Sequence, residues 1–238
     1  MSKGAGVNPD PEASTETGTS DALLREALSF LGHNAREGHS STLALLELQR
    51  IKTDPLGMAE LVERVERNAR KSLAAIDDFM DLNAARTQAL RVEDIDLADL
   101  LVEVVADAWS LASRHGIRVL ITSAIDNAPA RADRELLAGA LAKLLRDVAA
   151  RTPRGVDVHC ALIAAPGEWI VEVEDPGAPS AMTAAAERSP WDSKLPPEDR
   201  PGPGLALAQV VAQRHAGWVA IEQGLSQGRI LRFGLPRV

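Results

Sequence analysis

The chain has 238 residues, 45% of them hydrophobic and 25% charged, a balance that supports a buried core and argues against global disorder. A formal charge of −8 lacks the basic footprint of a nucleic-acid binder, and a single cysteine, Cys160, excludes an internal disulfide and a cysteine-built zinc cage. No stretch approaches the ~18 apolar residues that span a bilayer, so the expectation is a cytoplasmic protein with no membrane segment and no nucleic-acid partner.

Residues 1–20 are rich in Gly, Pro, Ser, Thr and acids, with almost nothing to bury, and read as a disordered leader. From Asp21 the texture changes. Leu24, Ala27, Leu28 and Leu31 recur at helical spacing, and the run continues to Ile51. Residues 52–57, with Pro55 and Gly57, read as a break, because proline cannot continue an established helix. A second helix is expected over 58–86. In it Val62, Val65, Ala69, Ser72, Ile76, Phe79 and Asn83 alternate three and four apart, as in a heptad seam. Two helices joined by a short turn form an antiparallel hairpin with a stripe on each helix. Pairing two hairpins into a four-helix bundle covers both stripes, so a homodimer is expected; packing on the rest of the same chain is the alternative.

Beyond Arg91 strands and helices mix. Short strands are expected over 95–97 and 117–122, flanking a helix over 98–115 that Gly116 stops. Asp133 caps a helix to about Arg151, and strands over 156–163 and 169–174 flank the turn Ala165-Pro166-Gly167. Residues 176–203 read as a long loop, followed by a helix over 205–215 and strands over 218–222 and 229–235. This order implies a mixed sheet with helices on one face. The whole chain therefore reads as an α + α/β sandwich protein: a leader over 1–20, a helical hairpin over 21–90, and an α+β sandwich over 91–238.

Three stations carry candidate chemistry, and each has a plain alternative. Phe30-Leu31-Gly32-His33-Asn34-Ala35-Arg36 sits on the first helix, where a lone histidine is more often a solvated residue. Glu174-Asp175-Pro176-Gly177 ends a strand, where Asp-Pro-Gly is ordinarily a turn. Gly202-Pro203-Gly204-Leu205-Ala206-Leu207 starts a helix, where paired glycines let backbone amides approach a phosphate. A simple helix start would look the same.

In this order and on this pattern of elements, the stations resemble the catalytic half of a two-component sensor histidine kinase, over about 21–238. His33 occupies the phosphoacceptor place, in a block that usually reads Phe-Leu-Ser-His-acid-x-Arg. Residues 136–152 resemble the asparagine box, and Asp175 and Gly177 the start of the Asp-x-Gly-x-Gly box that reads adenine. Gly202, Gly204, Leu205 and Ala206 resemble the glycine-rich phosphate box, and His215-Ala216-Gly217 its His-Gly-Gly ending. The resemblance implies a Bergerat-type ATP-binding domain using ATP and Mg²⁺. It also implies autophosphorylation of His33 and transfer of phosphate to an aspartate on a response-regulator receiver domain.

The same resemblance assigns the sites. His33, Asn34, Arg36 and Glu37 form the catalytic block. Lys143, Asp147, Asp175, Gly177, Gly202, Gly204, Leu205 and Ala206 form the ATP site, with Asp147 as the metal ligand. Several positions depart from the family pattern. Asn34 replaces the neighbouring acid, and an amide can orient an imidazole but cannot act as its base. Glu37-Gly38 replaces Thr-Pro, with Glu37 one helical turn beyond His33. Lys143 and Asp147 stand at the asparagine positions, Pro179 near the second adenine-box glycine, and Ala206 at the third phosphate-box glycine. A carboxylate is a good hard ligand for Mg²⁺, yet without metal Asp147 repels a triphosphate. Two further readings therefore stand beside the kinase. One is a histidine phosphotransferase or pseudokinase scaffold that dimerises and docks a response regulator without ATP chemistry. The other is a pure interaction protein.

Overall fold

The computed structural model describes residues 28, 39–44, 46–47, 55–123, 125–177, 202–224 and 228–237. The chain divides into two compact units, Met1–Phe79 and Met80–Val238.

In the first unit residues 39–44 and 46–47 are helical (α1), and a second helix, α2 (Pro55–Thr87), starts there and runs for 33 residues, those from Met80 on belonging to the second unit. The expected break therefore ends earlier than its proline suggests. Pro55 is the first residue of α2, where its missing N–H has no intrahelical partner to lose. Along α2, Leu61 and Ser72 are buried and Val65, Asn68, Ala75 and Phe79 half-buried. The covered stripe shares Val65, Ser72 and Phe79 with the expected seam but turns toward Leu61, Asn68 and Ala75. Val62, Leu73, Ile76 and Met80 stay exposed, a second apolar stripe that the single chain does not cover.

The second unit is an α+β sandwich. A five-stranded sheet has the order β2 (Arg118–Ile121), β4 (Asp157–Ala165), β5 (Glu168–Asp175), β7 (Arg229–Pro236), β6 (Trp218–Gln223). Only the β2–β4 pair is parallel; the other neighbours are antiparallel. Large apolar side chains alternate along the strands: Val158, Cys160 and Leu162, Trp169, Val171 and Val173, and Leu231, Phe233 and Leu235 are all buried. Burial pushes the Cys160 thiol up to about 12, with Glu174 adding to the effect, so it remains a protonated thiol. Helices α3 (Leu97–Arg114), α4 (Arg134–Arg151) and α5 (Pro203–Arg214) form the covering layer. Gly116 ends α3 at a φ of 70°, a left-handed turn that glycine adopts without strain.

A small second sheet joins β1 (Glu93–Asp96) to β3 (Pro129–Ala132), antiparallel. The strand β3 has no counterpart in the sequence expectations. Its Pro-Ala-Arg-Ala carries no β-branched residue, and pairing with β1 rather than propensity holds it extended. Asp133 next to it caps α4, accepting from the Leu136 N–H at 3.1 Å and the Arg91 N–H at 2.8 Å. Burial alone would raise its pKa, but these two donors, together with charge attraction from neighbours such as Arg91, hold the carboxyl below its usual value. His215 closes the same corner, accepting the Asp133 N–H at Nε2 and facing the Val211 carbonyl with Nδ1.

Candidate nucleotide-type site

Lys143, Asp147 and Arg151 are spaced four apart and share one face of α4. Against that face lie the start of α5, with Gly204 in it and Gly202 as its cap, and the end of β5 at Asp175, with Gly177 in the turn beyond. The sandwich thus gathers every described member of the predicted ATP set. His33, Asn34, Arg36 and Glu37 lie outside the described residues, as does Pro179; His39 is helical and exposed.

The glycines have a packing reason. A Cβ on Gly204 would lie 2.7 Å from the Lys143 carbonyl and the Leu144 nitrogen, so α5 meets α4 backbone to backbone. One on Gly202 would lie 2.1 Å from Asp147 Oδ2, and one on Gly177 would lie 2.4 Å from the Arg151 carbonyl oxygen. Leu205 and Ala206 are buried in the core behind this junction.

The polar groups of the site are turned toward one another. At the start of α5, Pro203 has no N–H, and Leu205 donates to the Gly202 carbonyl. The Gly204 N–H donates to Asp147 Oδ2 at 2.6 Å. A helix N-terminus attracts an anion, and here the chain supplies its own carboxylate. Lys143 Nζ reaches Asp81 Oδ2 on the last turns of α2 at 2.7 Å, with its side chain largely covered.

At the other end, Asp175 is fully enclosed. Its Oδ2 accepts from Arg229 Nε at 2.7 Å and from Arg151 Nη2 at 2.9 Å. Asp175 and Arg229 are direct cross-strand partners in the β5–β7 register, both on the inner face. Burial lowers the Arg229 pKa and Asp175 opposes that shift, while Arg151 adds a like charge. The sequence expectations did not single out either arginine. A signal was present for Arg229, which falls on the buried phase of β7 with Leu231, Phe233 and Leu235.

Histidine kinase catalytic cores use ATP, typically with Mg²⁺. The residues here do not fit that group in the expected way. Adenine would need the Asp175 carboxylate, which two guanidinium groups hold, and a phosphate would meet Asp147 at the α5 amide. Among the described residues no cluster of His, Cys, Asp and Glu is placed to hold a metal ion.

No protein-family model matches the chain. Sensor protein DivL of Caulobacter vibrioides is 31% identical over 208 residues, which is 80% of this chain and 27% of that protein. The structure of histidine kinase ThkA in complex with the response regulator protein TrrA matches with a TM-score of 0.72. That match has 16% identity and covers 97% of this chain and 68% of the other. By fold, the chain matches the catalytic core of histidine kinases. Histidine kinase AdeS of Acinetobacter baumannii shares the fold at a TM-score of 0.60 and 16% identity, over 86% of this chain and 98% of its own. Full-length ShkA in complex with AMPPNP does so at 0.61 and 19%, over 92% and 46%. This kinase-type core spans about a quarter of the curated relative it matches. No helix among its described residues is long and apolar enough to cross a membrane.

Proposed function

We propose that this chain is a histidine phosphotransfer protein of a two-component pathway, exchanging phosphate between His33 and the aspartate of a response-regulator receiver domain. The helices of residues 21–90 pair two copies into a homodimer, and the sandwich serves as a docking and structural domain. In the transfer, the unprotonated imidazole nitrogen of His33 attacks phosphorus. The N–P bond forms as the acyl phosphate P–O bond breaks, and the aspartate carboxylate leaves. Asn34 orients the ring, and Glu37, four residues on in the sequence, is the carboxylate that takes the proton from the other ring nitrogen.

What supports this reading over autophosphorylation from ATP is the Asp147 carboxylate on the Gly204 amide, an anion already placed where phosphates would bind. A receiver partner is supported by the likeness to ThkA, a kinase whose structure holds a response regulator. The exposed stripe Val62, Leu73, Ile76 and Met80 supports the homodimer.

The test is phosphate transfer from receiver domains charged with labelled acetyl phosphate. Wild type should gain an acid-labile, alkali-stable label that His33→Gln loses. Label entering His33 from ATP and Mg²⁺ instead would restore the autophosphorylating kinase.

A further inference from the structure

We infer that Arg151 and Arg229 exclude adenine from Asp175, closing the base end of the site with guanidinium groups of the chain itself. The inference deepens the phosphotransfer reading and rests on it for its purpose, but it concerns the end of the site that Asp147 does not touch. Adenine offers its exocyclic amine as a donor and its ring nitrogens as acceptors, so a buried carboxylate reads it through that amine. In this chain the amine's place on Oδ2 is taken twice, by Arg229 Nε and Arg151 Nη2.

The two arginines differ in how they are held. Arg229 is 2% exposed and pinned by the strand register directly opposite Asp175. Arg151, on the last residue of α4, is 22% exposed and forms the outer side of the cluster. The close approach at Gly177 brings the turn after β5 onto the Arg151 backbone, which fixes where that side chain starts. Displacing Arg151 is therefore the lower-cost way in, and a base entering that way still finds Arg229 on the carboxylate.

The closure is incomplete in its hydrogen bonding. Asp175 Oδ1, Arg151 Nε and both Arg229 Nη atoms are buried without a partner. Three of these four atoms are donors that the exocyclic amine of adenine cannot satisfy, and the fourth, the acceptor Oδ1, is enclosed with them. One acceptor, Oδ1, is left to gain if the guanidinium groups are removed. Exclusion and latent recognition thus sit on the same carboxylate.

Adenosine is the probe, because it carries no phosphate and reports on the base end alone. Calorimetric titration of the full chain should show no adenosine binding by wild type up to millimolar concentration. Arg151→Ala, which keeps the Arg229–Asp175 pair, should gain weak binding. Arg151→Ala with Arg229→Ser should bind at least tenfold more tightly than the single variant, and Asp175→Asn should abolish the gain. If the double variant does not fold, the single variant, checked by circular dichroism, decides. Adenosine binding by wild type that Asp175→Asn removes would overturn the inference, as would a folded Arg151→Ala that binds no better than wild type. Receiver-to-His33 transfer, measured separately on wild type, tests the phosphotransfer reading; its loss leaves the adenosine result standing.

Discussion

A buried carboxylate persists only where cations or donors replace its lost water, and Asp175 has both in Arg151 and Arg229. That gives the residue a structural duty that a base-reading aspartate does not have. In an open nucleotide site, Asp175→Asn would weaken ligand binding and leave stability nearly unchanged. Here it removes the charge that compensates two arginines, one of them almost wholly buried, and should lower stability by about 3–5 kcal/mol. Chemical denaturation checks this; a loss below about 1 kcal/mol would mean that the pairing carries no weight. At this scale the sequence located Asp175, Gly177, Gly202 and Gly204 correctly on their elements, because turn chemistry and helix starts are local. It did not disclose their partners. Asp175 meets Arg229 across 54 residues of chain, and that pairing exists only once β5 and β7 are in register.

Elements with a strong period were legible, and those held by their neighbours were not. The strands β4 and β5 read directly from alternation around Pro166-Gly167, and α4 from its Asp133 cap. By contrast β3 owes its extension to β1, and nothing in Pro-Ala-Arg-Ala announces it. In α2 the seam was legible to within one residue. Apolar side chains flank it on both sides, so the three-four pattern alone cannot choose which flank faces inward. Burial decides: Leu61 goes in, and Val62, Leu73 and Ile76 stay out. The outward stripe gives a clean test of pairing, since Ile76 is 38% exposed in the single chain. Ile76→Asp should leave the fold intact yet bury an unpaired charge in a dimer. Sedimentation should show a wild-type dimer at micromolar concentration and a monomeric variant. A wild-type monomer would remove the bundle from the account.

At the scale of the whole molecule, a histidine kinase fold does not by itself carry a kinase's chemistry. The fold depends on core periodicity and on close backbone approaches, such as that of Gly204 to Lys143 and Leu144, and these are kept. The chemistry depends on open polar groups, and here the α5 amide faces Asp147 while Asp175 faces two arginines. The same glycines that resemble a phosphate box in sequence serve helix packing in the structure, which is why motif order points to the fold more readily than to the activity. The central claim is that phosphate reaches His33 from a receiver rather than from ATP, and the most direct measurement is binding of ATP with Mg²⁺ to the full wild-type chain. Calorimetry should detect no binding up to millimolar nucleotide, whereas micromolar affinity that Asp175→Asn or Asp147→Asn abolishes would contradict the account.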